Sequence, residues 1–161
     1  MVGDGSYLMM AQEIVTSIQE RAKLTIVLVD NEGFSSIGAL SRAKGMSGFG
    51  TRYRYRSGGS LGDDADHHDG EKLPVDLALN AQGFGAYVLR AGSIEELRDS
   101  LLAAKKVERT VVIHVPVDRY ESVPSYESWW EVPVAEVAES PDVARAREEH
   151  QRGLARRRWY L

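Results

Sequence analysis

The sequence predicts an α/β protein with a parallel sheet layered between helices, and three observations carry that prediction. Two runs, Leu24 to Val29 and Thr110 to Val115, are dominated by β-branched residues and Leu. They lack the alternation of a half-exposed strand, as strands covered on both faces do. Segments with helical spacing lie between and around them, and strands alternating with helices imply parallel βαβ units in a three-layer arrangement.

Each element has its own signal. Leu8, Ala11, Val15, Ile18 and Ala22 recur at helical spacing, with Gln12, Glu13, Gln19 and Glu20 on other faces. An amphipathic helix over about 7–22 follows, its N-terminus beside Asp4. The run from Leu24 to Val29 is a buried strand that delivers Asn31 at its carboxyl end, where open α/β sheets bind ligands. From Asn31 to Lys72 periodicity lapses; the segment holds nine of the 15 glycines and exceeds an ordinary connection, as functional loops do. Within 34–59 it carries Arg42, Lys44, Arg52, Arg54 and Arg56 and no acidic residue, which suits either a solvated loop or a lid over an oxygen-rich substrate.

Beyond the loop, Val75 to Gln82 reads as a short helix ended by Gly83, and Ala86 to Leu89 as a strand. Ser93 to Lys106 reads as a helix opened by a capping box of Ser93 and Glu96. Thr110 to Val115 is the second buried strand, stopped by Pro116. A Pro-containing connector from Asp118 leads through Tyr126, Trp129 and Trp130 to a helix over about 141–158, which Pro141 favours at its first turn. The chain thus divides into residues 1–117, with a glycine-rich loop at 31–72, and an aromatic and helical tail at 118–161.

Composition narrows the function. Hydrophobic residues make up 43% of 161 residues, enough for one domain with a substantial core. Twenty basic against 24 acidic side chains give a charge of −4, which disfavours a nucleic-acid binder with its strongly basic footprint. The absence of Cys excludes disulfides and thiolate metal sites. No secretory signal or apolar run of about 18 residues supports export or membrane spanning, so a cytoplasmic location is the simplest expectation.

The chemistry concentrates at two short stretches. Gly3-Asp4-Gly5-Ser6 leads into a helical pattern, offering free backbone N–H groups and close approach to an anion such as a diphosphate. Asp4 supplies a hard anionic oxygen, Asn31 an amide oxygen and Gly33 an unshielded backbone carbonyl. That set suits a divalent cation with oxygen ligands, Mg²⁺ first and Ca²⁺ or Mn²⁺ after it. Gly3, Gly5, Ser6 and Phe34 complete the expected cofactor-contacting residues.

Gly3-Asp4-Gly5, 24 residues from Ser6 to Val29, then Asp30-Asn31 resembles the signature of thiamine-diphosphate-dependent enzymes, a GDG followed at about that spacing by a pair usually written NN. Here the first Asn is Asp30. The resemblance implies that Asp4, Asn31 and the Gly33 carbonyl hold Mg²⁺, which holds the cofactor diphosphate. Three further stretches are similar to the trihydroxycyclohexane-1,2-dione hydrolases of inositol breakdown. They are Glu13 to Arg21, Gly45 to Thr51 with Arg54-Tyr55-Arg56, and Tyr126 to Val132. Those enzymes use thiamine diphosphate to open a cyclic diketone by adding water across a C–C bond.

The resemblance carries further expectations. The chain begins two residues before its GDG, without the full strand that usually precedes a phosphate-binding turn, so a partial thiamine-diphosphate-binding fold lacking its N-terminal elements is expected. The family places a pyrimidine-binding domain upstream and takes the activating carboxylate from it, generally across a homodimer or homotetramer interface. No catalytic residue is assigned within this chain. Two alternatives stand beside this reading: another thiamine-diphosphate enzyme, of acetolactate synthase or 2-oxo-acid decarboxylase type, and a non-catalytic module binding Mg²⁺ and diphosphate. The stretches 45–56 and 126–130 favour the hydrolase.

Other conspicuous residues take plainer readings. The acidic and His-containing stretch Asp63 to Asp69 carries metal-binding side-chain types, but it reads as a solvated loop before it reads as a metal site. His114, inside an apolar strand pattern, is a hydrogen-bonded core or sheet-edge histidine. Arg156-Arg157-Arg158 complements a helix C-terminus, and Tyr126, Trp129 and Trp130 anchor the tail or a subunit contact.

Overall fold

A computed structural model of the chain describes residues 1–48, 50–55, 71–119, 121 and 132–157. The stretch Asp63 to Asp69, Arg56, Arg158 and the cluster of Tyr126, Trp129 and Trp130 lie outside them. In chain order the elements are β1 (Val2–Gly3), α1 (Asp4–Met10), α2 (Glu13–Gln19), β2 (Thr25–Asp30), α3 (Ser35–Ala43), α4 (Leu77–Gly83), β3 (Tyr87–Arg90), α5 (Ile94–Ala104), β4 (Val111–Pro116) and α6 (Pro141–Ala155). Contacts divide the chain into two units, one of residues 1–34 and 73–120, the other of 35–72 and 121–161.

The first unit is the α/β layer structure. Its four strands are all parallel, in the order β1-β2-β4-β3. β4 is central, and Val111 to His114 are buried without a break. Strand pleating sends alternate residues to opposite faces. Leu28 and Val112 join Tyr7, Ala11, Ile14, Leu77 and Ala81 on one face, whereas Val111 and Ile113 join Ala91 and Ala104 on the other. Helices therefore cover both faces, as the apolar runs predict. β2 departs from the expectation of complete coverage: only Leu28 is fully buried and Thr25 is exposed. Its neighbour β1 pairs with it only at Val2↔Leu28 and Gly3↔Val29, so among the described residues no strand borders the N-terminal half of β2 on that side.

The expected helix over 7–22 starts earlier, ends earlier and is split. Ile14 N–H bonds to Ala11 O at 3.2 Å and Val15 N–H to Gln12 O at 2.9 Å; these i→i+3 bonds tighten the turn between α1 and α2. α2 ends in a Schellman motif, with Ala22 N–H on Ser17 O (2.9 Å) and Arg21 N–H on Ile18 O (3.1 Å). Arg21 takes the left-handed position there, at φ 53°, where glycine is the usual occupant. The remainder of the helix is held to the sheet by a buried hydroxyl pair, Ser17 Oγ and Thr110 Oγ1, 2.8 Å apart.

At α5 the capping box is half as expected. Ser93 Oγ accepts from Glu96 N–H at 3.1 Å, but the Glu96 carboxylate takes Gly92 N–H at 2.7 Å, one residue beyond the cap. α4 includes Gly83, with Phe84 as its cap, and is opened by Asp76, whose Oδ1 accepts from Leu79 N–H at 2.9 Å.

The second unit contains α3, in a stretch where the sequence predicts no regular element. Its apolar residues Ile37 and Leu40 are exposed. The residue it buries is Gly38, against Thr51, where a Cβ would lie 2.6 Å from the hydroxyl. Tyr55 N–H bonds to Glu71 O at 2.8 Å beside an antiparallel bridge of Arg54 and Lys72. Pro141 opens α6 as expected, and Arg147 on that helix donates to Val134 O at 2.9 Å.

Candidate cofactor and metal site

The GDG segment and the residues after β2 meet at the carboxyl end of the sheet. Gly3 closes β1 in extended backbone, and the chain turns at once into α1, which places Asp4 in its first turn. Asp4 is 1% exposed, and both its oxygens are engaged: Oδ1 accepts from Gly5 N–H and Oδ2 from Gly33 N–H, each at 2.8 Å. Gly5 lies directly under the Phe34 ring, and a Cβ there would stand 2.5 Å from a ring carbon. Gly33 is buried at φ 154° and follows Glu32, a non-glycine residue at φ 61°. Asn31 sits immediately after β2 and is half-buried, while Ser6 is exposed on α1. The structure thus joins Asp4, Gly5, Gly33 and Phe34 by direct contact.

Two residues that the sequence reading did not assign to the site belong to its surroundings. Asp30 ends β2, and its Oδ1 accepts from Glu32 N–H at 3.0 Å. Its Oδ2 lies 2.8 Å from His114 Nε2, both side chains being nearly buried. The hydrogen bond from His114 holds the Asp30 carboxyl below its ordinary range. An ionised carboxylate only accepts, so His114 Nε2 carries the proton of this bond. The signal was present in outline: polar residues in two apolar strands, Asp30 at the end of β2 and His114 within β4, each two positions beyond a core residue of the same face, Leu28 and Val112. Their pairing across 84 residues was not.

Burial pushes the Asp4 carboxyl up, and the neighbouring Asp30 carboxylate adds to that, against the two N–H groups that lower it. Two close carboxylates in a site sheltered from water favour a cation, and a bound divalent ion reverses such a shift. The donors present, a carboxylate, an amide oxygen and a backbone carbonyl, are of the hard oxygen type that Mg²⁺ takes. The glycine at position 5 has no room for a side chain beneath the Phe34 ring, and its N–H is taken by Asp4 Oδ1. The residues present therefore fit a diphosphate held through a metal ion. Among the described residues no group of three or more His, Cys, Asp or Glu side chains gathers as a separate metal site, and no helix is long and apolar enough to cross a membrane.

A parallel sheet with a glycine-flanked turn and a buried carboxylate at its carboxyl end is the architecture of nucleotide- and diphosphate-binding α/β domains. The chain belongs to the thiamine pyrophosphate enzymes: the model of their C-terminal TPP binding domain matches residues 1–115. It is 40% identical over 160 residues to 3D-(3,5/4)-trihydroxycyclohexane-1,2-dione hydrolase 1 of Bacillus cereus, covering 99% of this chain and 24% of that protein. The hydrolase of the same name from Bacillus thuringiensis (strain Al Hakam) is 39% identical over 160 residues, with the same coverage. The chain thus spans about a quarter of the length of these relatives. Benzoylformate decarboxylase from Polynucleobacter necessarius shares the fold, with a TM-score of 0.55 and 22% identity over 75% of this chain and 19% of that one.

Proposed function

We propose that this chain is the diphosphate- and metal-binding part of a cytoplasmic thiamine-diphosphate-dependent hydrolase of inositol catabolism. Its substrate is 3D-(3,5/4)-trihydroxycyclohexane-1,2-dione, opened at a C–C bond to 5-deoxy-glucuronate. The observation that carries this reading is the 40% identity over 160 residues to a hydrolase of that name, which extends through the stretches 45–56 and 126–130 as well as the GDG. The decarboxylase likeness concerns the fold alone.

In this reading Asp4, Asn31 and the Gly33 carbonyl bind Mg²⁺, and Gly3, Gly5, Ser6 and Phe34 contact the cofactor. When bound, thiamine diphosphate supplies the carbanion and electron sink that C–C cleavage needs. The chain's own contribution is to bind and orient. Buried Asp4 presents a charge fixed by two N–H groups, and Phe34 closes over Gly5. The activating carboxylate belongs to an upstream pyrimidine-binding domain, reached within a homodimer or homotetramer.

A chimera tests this proposal. The C-terminal quarter of the Bacillus cereus relative is replaced by residues 1–161, and ring opening is followed with Mg²⁺ and thiamine diphosphate. The expected result is turnover by the chimera, its loss in Asp4→Ala, and none from residues 1–161 alone. A folded chimera that decarboxylates 2-oxo acids but leaves the diketone intact would overturn the substrate assignment.

A further inference from the structure

Four hydrogen bonds run in series from the middle of β4 to the GDG turn. His114 Nε2 donates to Asp30 Oδ2 (2.8 Å), Glu32 N–H donates to Asp30 Oδ1 (3.0 Å), Gly33 N–H donates to Asp4 Oδ2 (2.8 Å), and Gly5 N–H donates to Asp4 Oδ1 (2.8 Å). Asp30 gives Oδ2 to His114 and Oδ1 to Glu32 N–H, and its carboxyl also meets that of Asp4, so rotating the carboxylate to improve one bond loosens another. His114 stands in the central strand, with its backbone paired to both neighbours through Leu28 and Arg90, and is the rigid end of the series. The other end is the turn after β2. There Glu32 adopts φ 61°, a left-handed conformation that a residue with a long side chain holds only where its surroundings impose it. The Glu32 N–H bond to Asp30 is such an imposition, and Gly33 follows directly.

We infer that His114 is a positioning residue: through Asp30 it holds the Glu32 and Gly33 turn in the shape that meets Asp4. The inference rests on the metal-site reading above for its bearing on cofactor binding, but its geometric content stands without any metal. It assigns a task to a histidine that lies in no recognised motif and touches no proposed ligand. It also makes Asp30 and His114 a functional pair rather than two separate core residues.

The test uses ¹⁵N-labelled full chain without metal or cofactor and reads amide hydrogen exchange at Gly33 and Ala91. Ala91 N–H bonds to the backbone carbonyl of His114 at 2.9 Å, and so reports whether β4 itself remains intact. In His114→Ala, Gly33 exchange is expected to rise at least tenfold while Ala91 stays protected. His114→Gln, which returns an N–H donor near the Nε2 position, is expected to restore Gly33 protection. Asp30→Ala is expected to reproduce the His114→Ala effect, and the double variant to add nothing to it. Unchanged Gly33 exchange in His114→Ala, or equal loss at Gly33 and Ala91, would overturn the inference. In parallel, Mn²⁺ binding in the presence of thiamine diphosphate is followed by electron paramagnetic resonance, with at least tenfold weaker binding expected in His114→Ala. Absence of Mn²⁺ binding in the unaltered protein would count against the metal-site reading alone, since the exchange experiment decides the positioning role independently.

Discussion

Gly33 N–H and the Asp4 carboxylate, 29 positions apart in the chain, are joined by a 2.8 Å hydrogen bond in buried surroundings. That bond ties the turn after β2 to the turn after β1. A buried carboxylate with two N–H donors is held in one orientation, and a metal ion meeting it finds a fixed rather than a searching ligand. Most expectations for variants near the site follow from this clamp.

Replacing Asp4 tests the clamp and the charge together. Asp4→Ala removes the proposed anionic ligand and the carboxylate that accepts from the N–H groups of Gly5 and Gly33, each bond a loss of about 1–3 kcal/mol where water cannot substitute. The expected outcome is a lowered melting temperature and Mg²⁺-dependent thiamine diphosphate binding too weak to measure by titration calorimetry. Unaltered binding would remove Asp4 from the site.

Gly5 is set by space. An added Cβ would lie 2.5 Å from the Phe34 ring, and overpacking of this kind costs about 1–3 kcal/mol. Gly5→Ala is therefore expected to lower the urea midpoint, and Phe34→Ala in the same chain to recover part of the loss. If the two substitutions simply add, the ring is not what excludes the side chain.

Thr110 secures α2 to the sheet. It is 1% exposed; Thr110 Oγ1 accepts from Leu24 N–H at 3.1 Å, and Ser17 Oγ, itself donating to Ile14 O at 2.7 Å, is free to accept the Thr110 hydroxyl proton. Thr110→Val keeps the shape but leaves Leu24 N–H unpaired. A destabilisation of about 1–3 kcal/mol is expected in denaturant unfolding, whereas Thr110→Ser should stay near the parent.

Asp76 gives a pH dependence with a definite sign. The Leu79 N–H lowers its carboxyl, helped by Arg90, whose Nη2 lies 2.9 Å from Oδ2. A group lowered by folding contributes its stability above the unfolded-state value and loses it as pH falls through the folded one. The contribution is thus full at neutral pH and fades below the ordinary carboxylate range. Asp76→Asn keeps a cap acceptor but cannot titrate, so the urea midpoints of parent and variant should converge on acidification. Asp76→Ala should cost about 1 kcal/mol at neutral pH.

What the sequence alone determined was local. Runs of Val, Ile and Leu specify β2 and β4, although only β4 is buried along its length as a strand covered on both faces is. Ser93 specifies the start of α5 because its hydroxyl reaches only the next turn. The GDG and the Asn31 pair were legible as a motif because backbone N–H groups and hard oxygens at fixed spacing suit one kind of chemistry. The break between α1 and α2 was less visible, since Ala11 and Gln12 have good helical propensity and the i→i+3 bonds that tighten the turn are not encoded in periodicity. α3 was less visible because Gly38 lies in its middle and glycine is a poor helix former.

Only the tertiary structure decided which distant groups meet. No local rule ties His114 to Asp30 or Gly33 to Asp4, because hydrogen bonds between strand ends depend on strand order and register. The order β1-β2-β4-β3 sets β2 beside β4, and the register of Leu28 with His114 brings Asp30 within reach of that ring. A shift of one residue would turn His114 to the opposite face, and the carboxylate that anchors the Glu32 turn would lose its partner.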